Sequence, residues 1–287
     1  MTTMVDDGLK NAICHGNATL IRKLLLETEA PLLTLARPGQ PLMRMPPLAY
    51  AIETLAGPRA LEALIDDHGV GDSYYIICGE DPDEQHYDER YVLRRSPLTH
   101  ALMRGLYPPE RRLWCADALN ALLAAGADAT AAWTDHNALL EEEGSNSSLL
   151  LHALVALQDT PADLLQGDMA RIVLPLLRHG AHLTTASSSI HGVASTLGSA
   201  AAFSVAGPRR FVSAFLAELL PHYANDDDWR VLRATTHDGR SLLEMTKPSV
   251  AALRNVYAEE LERQVDALPD ELQARILDHL RRRSPQA

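Results

Sequence analysis

A short run of polar and apolar positions recurs along the chain: a small or polar residue, Pro or Leu, Leu, two variable residues, then Ala or Thr. It reads Pro46-Pro47-Leu48-Ala49-Tyr50-Ala51, Ser96-Pro97-Leu98-Thr99-His100-Ala101 and Ser148-Leu149-Leu150-Leu151-His152-Ala153. Further copies are Ser195-Thr196-Leu197-Gly198-Ser199-Ala200 and Ser241-Leu242-Leu243-Glu244-Met245-Thr246, with a degenerate first one at Asp7-Gly8-Leu9-Lys10-Asn11-Ala12. Each predicts a helix start, because Ser caps an orphan backbone N–H and Pro at the first helical position gives up no needed donor. Leu and Ala three positions apart fall on one helix face, bulky beside small, so that a second helix can approach closely. That second helix ends in an apolar pair and a Gly stop, as in Leu122-Leu123-Ala124-Ala125-Gly126-Ala127-Asp128 and Leu176-Leu177-Arg178-His179-Gly180-Ala181. Weaker stops are Leu64-Ile65 before Gly69 and Leu219-Leu220 before Tyr223. Such a unit cannot bury its apolar side alone; stacking on neighbours supplies the core.

The anchors at 12, 51, 101, 153, 200 and 246 are spaced by 39, 50, 52, 47 and 46 residues. The excess falls in the connections. Inter-helix loops are extended at Gly105–Glu110 and Gln158–Asp163, and the longest excursion is Gly71–Arg95. Its run Ser73-Tyr74-Tyr75-Ile76-Ile77-Cys78 is rich in β-branched and aromatic residues, and Tyr87–Leu93 suits a return strand, so a β-hairpin with an acidic tip is predicted. The tip carboxylates Glu80, Asp81, Asp83 and Glu84 either keep a long loop solvated or steer a basic partner. A second long loop, Asp128–Ser147, carries Trp133 and His136. Aromatic groups on polar loops are candidate anchors, because they offer much contact area at small entropic cost. Tyr74, Tyr75, Tyr87, Trp133 and His136 are therefore the candidate partner contacts, with packing of Trp133 on an adjacent loop the alternative.

These motifs resemble the ankyrin repeat, with its T-P-L-H-x-A start and L-L-x-x-G-A-D finish, in six diverged copies over residues 5–260. His100 and His152 stand one position before the Ala, where the family's His stands two before it. The spacing exceeds the roughly 33 residues of an ankyrin unit, and helical pairs of the HEAT type are the competing architecture. The resemblance implies an all-α solenoid of helix pairs with long finger loops, one β-hairpin insertion and a C-terminal helix. It also implies a non-enzymatic module that binds a client protein.

Residues 266–287 form a separate segment. Leu272, Ile276 and Leu280 fall four apart with Leu277 beside them, after Leu268-Pro269-Asp270-Glu271. Read from the residues, this is an amphipathic helix able to cap an open apolar face. Leu268, Pro269, Leu272, Ile276, Leu277 and Leu280 also resemble the opening of an F-box, as in the C-terminal segment of poxviral ankyrin proteins or bacterial effectors. That resemblance implies docking on the Skp1 adaptor of a cullin ubiquitin ligase, and an effector acting in host cytoplasm; plain occupation of a target without ligase recruitment is the alternative.

Composition narrows the field. The chain has 287 residues, with 26 Lys+Arg against 38 Asp+Glu and a net charge of −12, which argues against broad nucleic-acid binding. No apolar run approaches the roughly 20 residues of a membrane span, and the acidic start is unlike a signal peptide, so a cytoplasmic location is expected. Cys14, Cys78 and Cys115 are odd in number and far apart, giving no disulfide framework. Only Lys10, Lys23 and Lys247 are lysines, so arginine supplies 23 of the basic residues; base composition of the genome or avoidance of self-ubiquitination would each produce this. No phosphate-binding Gly loop, HExxH or GxSxG motif occurs, and His179, His182 and His222 lack local acid or thiol partners. No catalytic residue, metal site or cofactor is expected.

Overall fold

The computed structural model describes residues 2–28, 31–38, 40, 42–70, 73–79, 91–133, 135–137, 147–186, 188–219, 230–231 and 234. They fall into two compact units, one ending at Ala156 and regaining Arg171–Ser188, the other made of Leu157–Ala170 and residues from Ser189 onward.

In the first unit, α1 (Thr2–Cys14) and α2 (Ala18–Leu26) are followed by two short strands, β1 (Leu33–Leu35) and β2 (Met43–Met45). Helices α3 (Pro47–Glu53) and α4 (Pro58–His68) come next, then β3 (Tyr74–Cys78) and β4 (Tyr91–Arg95). Helices α5 (Pro97–Leu106) and α6 (Arg112–Ala124) precede β5 (Asp135–Asn137) and α7 (Leu149–Ala156). Past a short helix, α8 (Leu165–Asp168), and a π-helical turn at Met169–Val173, helix α9 (Leu174–Arg178) completes the unit.

The helix signals act as the sequence suggests. Ser96 and Ser148 cap α5 and α7 by accepting from the backbone N–H of Thr99 and Leu151, each at 3.1 Å. Pro47 and Pro97 occupy first positions. Gly126 and Gly180 take positive φ of 94° and 86°, and Ala127 and Ala181 donate back to Leu122 and Leu176 at 3.0 Å, which closes the helix ends. The Leu/Ala pairs Leu9/Ala12, Leu48/Ala51, Leu98/Ala101 and Leu150/Ala153 are all buried. Close approach is sharpest between α5 and α6. A Cβ on Gly105 would collide with Cβ of Cys115, so only glycine fits there.

The loops between helix pairs do not remain loops. Strands β1 to β5 form one antiparallel sheet in chain order. Leu33 pairs with Met45, Met43 with Cys78, Tyr74 with Arg95 and Arg95 with Asp135. The expectation of an all-α solenoid with a single hairpin is therefore overturned: the anticipated hairpin is the middle of a five-stranded sheet. The physical reason is edge completion. A lone hairpin leaves unpaired N–H and C=O rows on both sides, and neighbouring loop segments as short as three residues satisfy them. Of the anticipated return strand, the described part is Tyr91–Arg95; residues 87–90 lie outside the described residues.

In the second unit, α10 (Ile190–Phe203) packs with α11 (Pro208–Leu219). Val193, Ala194, Leu197, Ala201, Phe211, Val212 and Phe215 are buried. Ser189 caps α10, so the helix starts ahead of the Ser195 copy of the repeat pattern, and Ser195 lies within it. The Val205 N–H donates to the Gln158 carbonyl (3.0 Å), and Gln166 donates to Glu218 (2.7 Å). Among the described residues no helix is long and apolar enough to cross a membrane.

Candidate functional site

Three elements of the first unit meet at a buried carboxylate. Glu53 is the last residue of α3, where the helix ends against the sheet. Its side chain is 5% exposed and draws in His100 from the first turn of α5, Arg104 from its last turn, Arg95 from the end of β4, and Arg37 from beyond β1. His100 Nε2 lies 2.9 Å from Oε1, with Arg95 Nη1 at 3.8 Å. On Oε2, Arg37 Nη2 is at 3.1 Å and Arg104 Nε at 3.2 Å. Arg37 also donates to the Glu53 backbone carbonyl at 2.7 Å, which ties the loop after β1 to the end of α3. On the far side of the imidazole, the Tyr74 hydroxyl is 2.5 Å from Nδ1, with the rings edge to face at 5.7 Å.

The protonation of this chain follows from its surroundings. Burial alone would raise the Glu53 carboxyl, but the hydrogen bond from His100, then the charges of Arg104 and Arg37, bring it down to about 2. Burial lowers His100, outweighing the pull of Glu53, so the imidazole is neutral near pH 7. An ionised Glu53 can only accept, which puts the imidazole proton on Nε2 and leaves Nδ1 to accept from Tyr74. Burial also raises the Tyr74 phenol, keeping that donor protonated.

A Glu–His–Tyr series has the connectivity of a proton relay, but His100 is 0% exposed and both its nitrogens are occupied. A reacting group has no access to it. The series braces α3, α5 and β3 together.

The sheet has a second, solvent-facing side. Alternation along β3 directs Tyr74, Ile76 and Cys78 inward and Tyr75 and Ile77 outward, and Tyr75 is 52% exposed. By register Tyr75 stands opposite Arg94, and Arg94 opposite His136. Tyr75 and Arg94, paired across β3 and β4, are both exposed, and the backbone of His136 pairs next in register.

No match was found to any protein-family model, curated protein or solved structure.

The remaining candidates are distributed as follows. Trp133 is half-buried and stacks on His152, with ring centroids 4.0 Å apart at 23°, while its backbone N–H donates to the Ser147 carbonyl at 2.8 Å. The hydroxyl of Ser147 lies 2.6 Å from His152 Nε2, so the second long loop is anchored at this point. Tyr74 sits on the inner side of the sheet, away from Tyr75. Glu80, Asp81, Asp83, Glu84 and Tyr87 lie outside the described residues, as do Leu268, Pro269, Leu272, Ile276, Leu277, Leu280 and all of 266–287. His179 bonds the Pro175 carbonyl (2.9 Å), and among the described residues no His, Cys, Asp and Glu cluster is placed to hold a metal. Sequence reasoning missed Glu53, Arg37, Arg94, Arg95 and Arg104. The one local signal was His100, a titratable group inside an otherwise apolar helix start.

Proposed function

We propose that this chain is a protein-interaction module that receives a partner protein on the solvent face of its sheet. The observation that carries the reading is the pair Tyr75–Arg94, an aromatic group and an arginine, both exposed, next to each other on paired strands. Tyr and Arg are the residue types enriched at binding hot spots, and a sheet braced from behind holds them without ordering cost. The likeness of the helix-start motifs to ankyrin repeats supports a binding role as well. Tyr74 and Tyr75 divide the work: the first locks the sheet to α5, and the second meets the partner.

The test is affinity capture with wild type and a Tyr75→Ser, Arg94→Glu double variant, with thermal melts of both. Partners retained by wild type and lost at least tenfold by a variant of unchanged melting temperature support the module. Equal capture by both proteins removes the sheet face from consideration. An enzyme reading has a weaker footing, because the Glu53–His100–Tyr74 series is closed to substrate.

A further inference from the structure

Tyr75 and Arg94, the exposed pair of the sheet face, each have a chain neighbour whose side chain goes inward. Those neighbours, Tyr74 and Arg95, are themselves cross-strand partners, one register step from the exposed pair. Both end at the same buried place. The Tyr74 hydroxyl meets His100 Nδ1 at 2.5 Å. Arg95 Nη1 lies 3.8 Å from Glu53 Oε1, the oxygen that His100 Nε2 holds at 2.9 Å. On each strand, then, a single peptide unit separates the outward-facing residue from one anchored at His100 and Glu53.

This arrangement suits only one protonation state of the imidazole. Neutral His100 donates through Nε2 to Glu53 and accepts at Nδ1 from Tyr74. A proton added at Nδ1 would set two hydrogens against each other, so the phenol has to turn its O–H away or withdraw. The new cation also competes with Arg95 for Glu53 Oε1. Each element around the ring supplies a group to that competition: Glu53 from α3, Tyr74 from β3, Arg95 from β4 and Arg104 from α5 itself. Arg37, from beyond β1, shares Glu53 Oε2 with Arg104. The ring is 0% exposed, so a lost partner is not simply exchanged for bulk water. Burial disfavours the charged ring and confines the change to pH below its ordinary 6.5.

We propose that His100 is a proton-operated latch on the sheet face: neutral, it holds Tyr74 and Arg95 so that Tyr75 and Arg94 present the receiving surface, and protonated, it releases them and weakens partner binding. The regulatory meaning rests on the sheet-face reading, whereas the latch itself belongs to the free chain and is measured there. By linkage, a partner that favours the latched sheet holds His100 neutral to lower pH.

The experiment follows the backbone amides of Tyr75 and Arg94 and the His100 ring by NMR of the full chain, from about pH 7.5 to about pH 4.5, with far-UV circular dichroism as the check on folding. The expected result is one shared midpoint below 6.5 for all three, reached while the chain is still folded. His136→Gln removes the imidazole of the residue paired with Arg94 and should leave that midpoint in place. His100→Gln has no titrating ring and should abolish the response of both amides. If it fails to fold, Tyr74→Phe cuts the link instead: His100 still titrates, and the Tyr75 response shrinks several-fold. Amides that stay flat while His100 titrates, amides whose response disappears in His136→Gln, or unfolding before His100 takes up its proton would overturn the latch. A chain that responds as expected yet captures no partner at either end of the pH range removes the sheet-face reading and not the latch.

Discussion

Replacing Glu53 by Gln changes little in shape and removes the one negative charge at the centre of the brace. In the fold this carboxyl is lowered from 4.5 to about 2. At about 1.36 kcal/mol per pH unit, that gap corresponds to roughly 3 kcal/mol of stability near neutrality which an amide cannot supply. The sign follows from the direction of the shift. A group whose folded value is depressed contributes fully above its ordinary value and loses that contribution as pH falls toward the folded value. The window therefore runs from 4.5 down to about 2. Urea denaturation of wild type and Glu53→Gln should differ by about 3 kcal/mol at pH 7 and by about 1 kcal/mol at pH 3. The variant also leaves Arg37, Arg95 and Arg104 facing a neutral group, so added salt should recover part of the loss. A gap below about 1 kcal/mol at pH 7, or a gap that does not narrow at pH 3, refutes the assignment of Glu53 as the ionised hub.

Further outcomes are expected. Gly105→Ala gains up to about 1 kcal/mol of helix propensity but drives a methyl into Cys115, at a cost of roughly 2–3 kcal/mol or more. A net loss of stability in thermal melts is therefore the prediction, and a stabilised variant would show that α5 and α6 are further apart than described. Tyr74→Phe deprives buried His100 of its donor and should cost about 1–3 kcal/mol, with partner capture through Tyr75 retained if the fold persists. Because burial lowers His100, the unfolded chain takes up a proton that the fold refuses. Stability should then decline as pH drops below the ordinary value of 6.5, and Tyr75→Ser should leave that profile alone. Capture of the cullin adaptor should be lost in a Leu272→Asp, Ile276→Asp double variant; no capture by wild type would dismiss ligase recruitment.

The helix starts and stops were readable because their signals are local. Ser96, Ser148 and Pro47 each announce a first turn, and Gly126 and Gly180 an end, within a few residues of the event. The copy at Ser195 misled for the same reason: Ser189 offers an equivalent cap earlier, and Gly- and Ala-rich sequence between them gives no contrary sign. Strand β3 was legible from its own composition. Strands β1, β2 and β5 were not, since three residues carry no periodicity, and Asp135-His136-Asn137 is a poor strand former that pairs because β4 presents an edge. Apart from His100, the Glu53 cluster had no local signature. Its members come from positions 37, 53, 95, 100 and 104, and only the pairing of β1 to β4 with the helices brings them together.

Adjacent tyrosines that look in opposite directions give this molecule two registers of change. Substitutions at Thr34, Tyr75 or Arg94 alter what the exterior offers while the interior lattice behind them stays as it was. A lineage, or a designer randomising those outward positions, could retarget the chain without renegotiating its stability.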